Sequence, residues 1–325
     1  MTHVRTLRAA GRIIRFRGPP ELVARALGPL VALEVGNAPD ETPRDVVVDV
    51  GPAARSSPRP PAGTRPEDAV RYESDPVAPR VCAPGLAVAT LRPDGSIALE
   101  LDAGAPDGDA TAEHATIPAL AERLRRDGTL LLHAAILKAP GAEGPTILVP
   151  AARGSGKTTL SLSLRRAGWR LLSDDRGWLV GPPERATIDP WPEAPRVGDR
   201  SLFLLPPHVR PGPRDERAGK APVPALTPPR LDAPLPVEAV CLPRLVDGPG
   251  GRVARVAGAT VLAAVAREAV VATAPETAAA ALRFVAALLA RVPAFEVEVG
   301  DDPGARAAAV AATIAAAVST PRQAP

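Results

Sequence analysis

The sequence predicts an α/β protein in two parts, and three observations carry that prediction. Between Thr146 and Val180 a strand, a glycine-containing loop, a helix and a return strand follow one another. Residues 1–102 alternate strand-like runs with turns. The last part of the chain holds three helix-length segments of Ala, Val and Leu. Interleaved strands and helices are the signature of layered α/β architecture.

At 325 residues the chain is long enough for two domains, expected at 1–110 and 111–325. Apolar residues make up 46% but aromatics only 2%, so the core must be built from Ala, Val and Leu. The 41 prolines imply long irregular connections. A net charge of +3 is small, and arginines and acids are interspersed although the pI is about 9.3. That is no nucleic-acid footprint. No stretch is long and apolar enough to span a membrane. Met1–Arg17 lacks the apolar core and cleavage site of a signal peptide. Cys82 and Cys241 lie far apart and read as reduced thiols, which fits a cytoplasmic protein. Oligomeric state is not legible.

In the first part, strands are expected at Arg12–Phe16, Asp45–Val50, Val81–Leu91 and Ile97–Leu101, the last after a Pro-Asp-Gly-Ser turn. Pro20–Leu27 reads as a short helix with proline at its start. Pro52–Pro66 is a Pro/Ser/Arg loop. This half carries no chemistry of its own and fits a scaffold or a substrate-recognition module equally. Gly104–Asp109 reads as a linker and Ile117–Arg126 as an amphipathic helix. Leu130–Leu137 is an apolar run expected to be a buried strand containing His133. A lone His there is ordinarily a satisfied core residue.

The strand Thr146–Pro150 feeds Ala151-Ala152-Arg153-Gly154-Ser155-Gly156, and Lys157-Thr158-Thr159 opens the helix. Gly-Lys-Thr at this place is phosphate-loop chemistry. Backbone N–H groups take phosphate oxygens, the lysine reaches the outer phosphates, and the Thr158 hydroxyl ligates Mg²⁺. Ala151 stands where the pattern has its first glycine; it keeps the small size but not the access to positive φ. Lysine occurs only at 138, 157 and 220 in an arginine-rich chain, so its presence at 157 speaks for a chemical requirement. Arg153 at the loop tip reads first as solvated and second as a phosphate contact.

Gly168 stops the helix, and the return strand ends in Asp174-Asp175, 17 and 18 residues after Lys157. One helix and one return strand fit that spacing as a single βαβ unit. In open parallel sheets ligands sit at the carboxyl ends of the strands. One carboxylate would place Mg²⁺ and the other would take a proton from an incoming hydroxyl. Asp174 is assigned to the metal and Asp175 to the base, with the reverse left open. Asp-Asp-Arg-Gly is also ordinary turn chemistry.

Beyond the acid pair, Pro206–Pro236 is a Pro/Arg-rich excursion holding Lys220, readable as a lid, a docking loop or a disordered insertion. A strand is expected at Val237–Leu242, and helices at Thr260–Thr273, Thr277–Arg291 and Gly304–Val318. Arg244 is a candidate to steady phosphate charge.

Leu131-Leu132-His133-Ala134-Ala135, the loop Gly154–Thr159, Gly168-Trp169-Arg170-Leu171-Leu172-Ser173-Asp174-Asp175 and Asp189-Pro190-Trp191-Pro192 occur in the order found in one family. The chain resembles the catalytic domain of HPr kinase/phosphorylase and its stand-alone relatives, including those of ribosomal and lasso peptide clusters. The resemblance covers about residues 128–320, where Val237–Arg244 and Val292–Val297 look like that family's late strands. It implies a P-loop domain like that of HPr kinase and phosphoenolpyruvate carboxykinase, preceded here by the small α/β domain. It also places His133 beside the transferred phosphoryl. The family's Gly-rich signature with a metal-binding Glu has no match at Arg196-Val197-Gly198-Asp199-Arg200, which speaks against phosphorylase activity.

The expectation is therefore a kinase using ATP and Mg²⁺. Arg153, Gly154, Ser155, Gly156, Lys157, Thr158 and Thr159 would bind the nucleotide, with Asp174, Asp175, His133 and Lys157 catalytic. The acceptor would be a serine hydroxyl of a peptide or protein, such as a ribosomal peptide precursor. A nucleotide-binding regulator without transfer and a small-molecule kinase are the alternatives.

Overall fold

The computed structural model describes residues 3–36, 45–54, 70–75, 77–104, 108–152, 154–215, 219–269 and 275–319. Arg153, most of the expected loop at 52–66 and the end of the helix expected to reach Thr273 lie outside them. The chain is mixed α/β and divides into two compact units. One is Met1–Leu130 with Val270–Ala280; the other is Leu131–Ala269 with Ala281–Pro325.

The first unit is built on a sheet with strands β1 (His3–Ala9), β2 (Arg12–Gly18), β3 (Val46–Pro52), β4 (Arg71–Glu73), β5 (Arg80–Ala83), β6 (Ala87–Leu91) and β7 (Ile97–Leu101). Their order among the described residues is β1-β2-β3-β7-β6-β5-β4. β3 lies parallel to both β2 and β7, and the other pairs are antiparallel. In β3 the residues Val46, Val48 and Val50 are buried in alternation, the period-2 pattern of a strand with one face inward. Helix α1 (Pro20–Leu27) lays Val23, Ala26 and Leu27 against it. The expected strand Val81–Leu91 is two strands instead. Leu86 N–H reaches Ala83 O at 3.0 Å across Pro84-Gly85, turning the run into a hairpin.

Helix α2 (Gly108–Thr111) passes through a π-helical turn at Ala112–Thr116 into α3 (Ile117–Arg125). These helices touch α1, β5 and β6, which places them in the first unit rather than after a boundary at 110. On α3 a buried Glu122 pairs with Arg125 at 2.9 Å and accepts from the Thr277 hydroxyl at 3.2 Å. Removing one partner of such a pair would strand a buried charge.

The second unit contains β8 (Leu130–Leu132, from its second residue), β9 (Ala134–Lys138), β10 (Thr146–Pro150), α4 (Lys157–Arg166), β11 (Arg170–Ser173), β12 (Gly177–Val180), β13 (Thr187–Pro190), β14 (Arg196–Val197), β15 (Ala221–Pro222), β16 (Leu235–Pro236), β17 (Ala239–Leu245), β18 (Gly250–Val256), α5 (Gly258–Glu268), β19 (Ala294–Val299) and α7 (Pro303–Ser319). Helix α6 (Pro275–Arg291) spans the division at Ala280. The main sheet runs β11-β9-β10-β17-β19-β18, and a smaller one runs β16-β13-β12-β8.

Two expectations are corrected here. The apolar run Leu130–Leu137 is not one strand: it breaks at His133, and β8 and β9 belong to different sheets. The unit from β10 to β11 is not a simple pair of parallel neighbours either. β9 lies between them, antiparallel to both. β10 and β11 consequently run in the same direction, and their carboxyl ends reach the same sheet edge.

The core of this unit gathers Leu137, Ile147 and Val149 from the sheet, Leu160 and Leu164 from α4, and Val310 and Ile314 from α7. The helix α4 ends in a paired closure. Gly168 N–H bonds Arg165 O and Trp169 N–H bonds Leu164 O, both at 3.0 Å, while Trp169 and Leu164 share the core cluster. That is the Schellman arrangement. The excursion at 206–236 is anchored in its described part. Val209, Val223 and Leu226 join Val197 and Leu204 in a cluster around Leu162 of α4.

Candidate functional site

Three strand ends converge on one edge. β9 begins at Ala134, whose partner on β10 is Pro150. β11 ends at Ser173, paired with Ile136 of β9 after a bulge. His133 therefore precedes one strand, the loop 151–156 follows the second, and Asp174-Asp175 follow the third. The register brings together residues 24 to 42 apart in sequence.

In the loop, Gly154 and Gly156 have φ of 85° and 98°. These left-handed values favour glycine and turn the backbone into α4, whose first turn has no side-chain cap. Ala151 is buried and is not among the described positive-φ residues, of which Ala10 is the one non-glycine. Alanine at that position therefore carries no backbone strain. The Ser155 hydroxyl donates to Ala152 O at 2.6 Å, closing the tip. Thr159 and Ser201 share a hydroxyl–hydroxyl contact of 2.9 Å.

Lys157 and Thr158 open α4 with buried side chains. Lys157 Nζ lies 2.6 Å from His133 Nε2 and 3.2 Å from Asp175 Oδ1. His133 Nε2 is itself 2.7 Å from Asp175 Oδ1, and Nδ1 is 2.9 Å from Glu268 Oε2. One ring nitrogen cannot donate to Asp175 and accept from Lys157 at once. A protonated imidazole bonds both carboxylates; a neutral one with Nδ1–H on Glu268 accepts from Lys157. Burial opposes charging the ring, but the hydrogen bonds to Asp175 and Glu268 outweigh it and raise its pKa above 6.5. The Lys157 ammonium beside Nε2 pulls the other way.

The two aspartates sit in opposite electrostatic situations. Asp174 is buried, and burial, with Asp175 beside it, pushes its carboxyl up to about 6 against the pull of Lys157, Thr158 and Lys220. Its Oδ2 accepts from Thr158 Oγ1 at 3.0 Å, while Oδ1 is buried with no partner. Asp175 keeps 40% of its side chain exposed. Burial would raise it too, but His133, Lys157 and Arg176 hold it well below the usual carboxylate range. Arg176 bonds Asp175 Oδ2 at 3.1 Å and stands 5.0 Å over Trp191, which stacks on Trp178 at 6.5 Å.

A hydroxyl facing a buried, half-satisfied carboxylate is a donor set suited to a hard cation, which takes oxygen ligands. Thr158 and Asp174 are the residues that would hold Mg²⁺. No group of three or more His, Cys, Asp or Glu that could hold a metal occurs among the described residues; a magnesium ion bound with phosphate and water needs no such cage.

Of the other expected residues, Arg153 lies outside the described set. Arg244 is engaged elsewhere, by Glu296 at 2.7 Å and Glu298 at 2.5 Å. Glu268 was not legible: it ends an Ala/Val helix, and 135 residues separate it from His133. Its backbone carbonyl also accepts from His133 N–H at 2.8 Å, so one residue holds both the ring and the main chain of His133.

The fold and the site thus define a mixed α/β protein with a glycine loop, a lysine, a histidine and two aspartates on one sheet edge. No protein-family model matches the chain, and no curated protein matches it.

Proposed function

We propose that this protein is an ATP-dependent kinase that passes the γ-phosphoryl of ATP to a serine hydroxyl of a peptide or protein. It would belong with the HPr-kinase-like P-loop enzymes that its sequence resembles. The observation that carries this reading is the meeting of Lys157, His133 and Asp175 beside the Thr158–Asp174 pair at the exit of the glycine loop.

In this scheme Gly154, Ser155, Gly156 and Thr159 frame the phosphates and Lys157 neutralises the outer ones. Thr158 and Asp174 would hold Mg²⁺, which would offset charge on the phosphate oxygens. Asp175, the more exposed acid, orients the acceptor hydroxyl. The serine oxygen forms a bond to the γ-phosphorus as the bond to the β-bridging oxygen breaks and ADP leaves. The serine proton passes to Asp175 and on to solvent. A carboxylate held this far ionised is a weak base, which suffices because phosphoryl transfer depends mainly on positioning and electrostatics. A nucleotide-binding regulator without transfer is the second reading. It is favoured by Asp175 already accepting hydrogen bonds on both oxygens.

Intact-mass analysis tests the choice. Candidate peptides incubated with ATP and the wild-type protein should gain one phosphate, and Lys157→Ala should abolish the gain. Asp175→Asn should keep ATP binding and slow transfer by about 10²-fold. A folded protein that binds ATP but phosphorylates nothing is a regulator; one that binds no nucleotide removes both readings.

A further inference from the structure

Lys220 is one of three lysines in the chain and lies in the excursion at 206–236. It precedes β15, which pairs antiparallel with β14. Lys220 also bridges to Asp215, whose N–H bonds Lys220 O at 2.8 Å. Gly198, directly after β14, faces it: a Cβ there would stand 3.9 Å from Lys220 Cγ.

The same segment is fixed to the nucleotide-side helix. Residues 199–204 form a 3₁₀ turn after Gly198, and Ser201 in that turn meets Thr159 Oγ1 at 2.9 Å in the first turn of α4. Val197 and Leu204 clamp onto Leu162, one helical turn further on. The backbone carrying Lys220 is thus tied to the start of α4, and its charge is felt at the Asp174 carboxyl. Lys220 is half-buried, and among the described residues it forms no ion pair. A half-buried ammonium with no carboxylate at ion-pair distance among the described residues is a group that an anion would stabilise. A lysine, in a chain that otherwise uses arginine, is a compact point charge suited to a single phosphate group.

We propose that Lys220 is a second phosphate-binding lysine, presented by the excursion to the terminal phosphoryl of a bound nucleoside triphosphate. This rests on the kinase reading of the site. The excursion would then act as a specificity element that recognises the triphosphate.

The test is calorimetric titration of ATP and ADP, each with Mg²⁺, into wild-type protein, Lys220→Met and Lys220→Gln. The expected result is a loss of about ten-fold or more in ATP affinity in both variants, the scale of a hydrogen bond to a charged group, with ADP affinity unchanged within two-fold. Thermal unfolding of each variant reports whether it folds, and the glutamine variant serves if the methionine one does not. Equal losses for ATP and ADP would mean that Lys220 acts on Asp174 and not on the terminal phosphate, and would overturn the proposal. So would unchanged affinities for both. A folded wild-type protein that binds neither nucleotide would overturn the kinase reading itself, and this inference with it.

Discussion

Asp174→Asn isolates the energetic cost of keeping a carboxylate at this site. Burial moves the Asp174 pKa from 3.8 to about 6, roughly two units. At 1.36 kcal/mol per unit the ionised form is disfavoured in the folded state by about 3 kcal/mol. The sign follows from a raised folded pKa. Below pH 4 both states carry the proton and no cost arises. Between pH 4 and 6 the unfolded chain loses its proton first and stability falls; above 6 the full cost persists. The amide of the D174N variant does not ionise. Its own burial cost is the same at every pH and drops out of the comparison. Relative to wild type, D174N should therefore gain about 3 kcal/mol of stability between pH 4 and pH 7.5, without nucleotide or metal. Urea unfolding followed by tryptophan fluorescence measures this directly. Trp169, Trp178 and Trp191 are the chain's three tryptophans and lie in the second unit with Asp174, so the signal reports that unit. A difference between the two proteins that stays constant within about 1 kcal/mol across this range, or that moves the other way, would refute the reasoning.

Two further outcomes follow from geometry. Glu268→Gln removes one of the two carboxylates that raise the His133 pKa; the imidazole titration, followed by NMR, should move to lower pH while ATP affinity is retained, and an unmoved midpoint would sever Glu268 from the ring. Gly156→Ala places a Cβ 3.0 Å from Leu245 Cδ2 at a φ of 98°; it should lower stability by about 1–2 kcal/mol for the left-handed backbone, measured by denaturant unfolding, and weaken nucleotide binding. An alanine variant as stable as wild type would show that the loop relaxes freely.

The strand–loop–helix–strand stretch was legible because it is local. Each element hands directly to the next, and glycines, lysine and acids mark the turns. The pairing was not. β9 inserts between β10 and β11 through contacts that no spacing in the sequence encodes, and the break at His133 hides inside an uninterrupted apolar run. Strand β18 has little apolar alternation and was missed for that reason. Glu268 reaches His133 and Ser201 reaches Thr159 through tertiary packing, and neither has a motif around it. Ala151 illustrates the converse: the sequence marks it as a departure, while the backbone shows that the position asks nothing of glycine.

The division of the chain bears on how the protein can be dissected. The polypeptide leaves the first unit at Leu130 and re-enters it after Ala269. His133 lies three residues beyond the first crossing and Glu268 one residue before the second. The unit bearing the cluster is thus interrupted in sequence, and a clone starting at residue 131 would carry residues 270–280 as an orphan. Thr277, buried and bonded to Glu122, would lose its partner. Truncation at Leu130 is therefore not a neutral cut. A minimal version of the second unit calls for a short linker from Ala269 to Ala281, leaving the stretch that begins at His133 and the end of α5 intact.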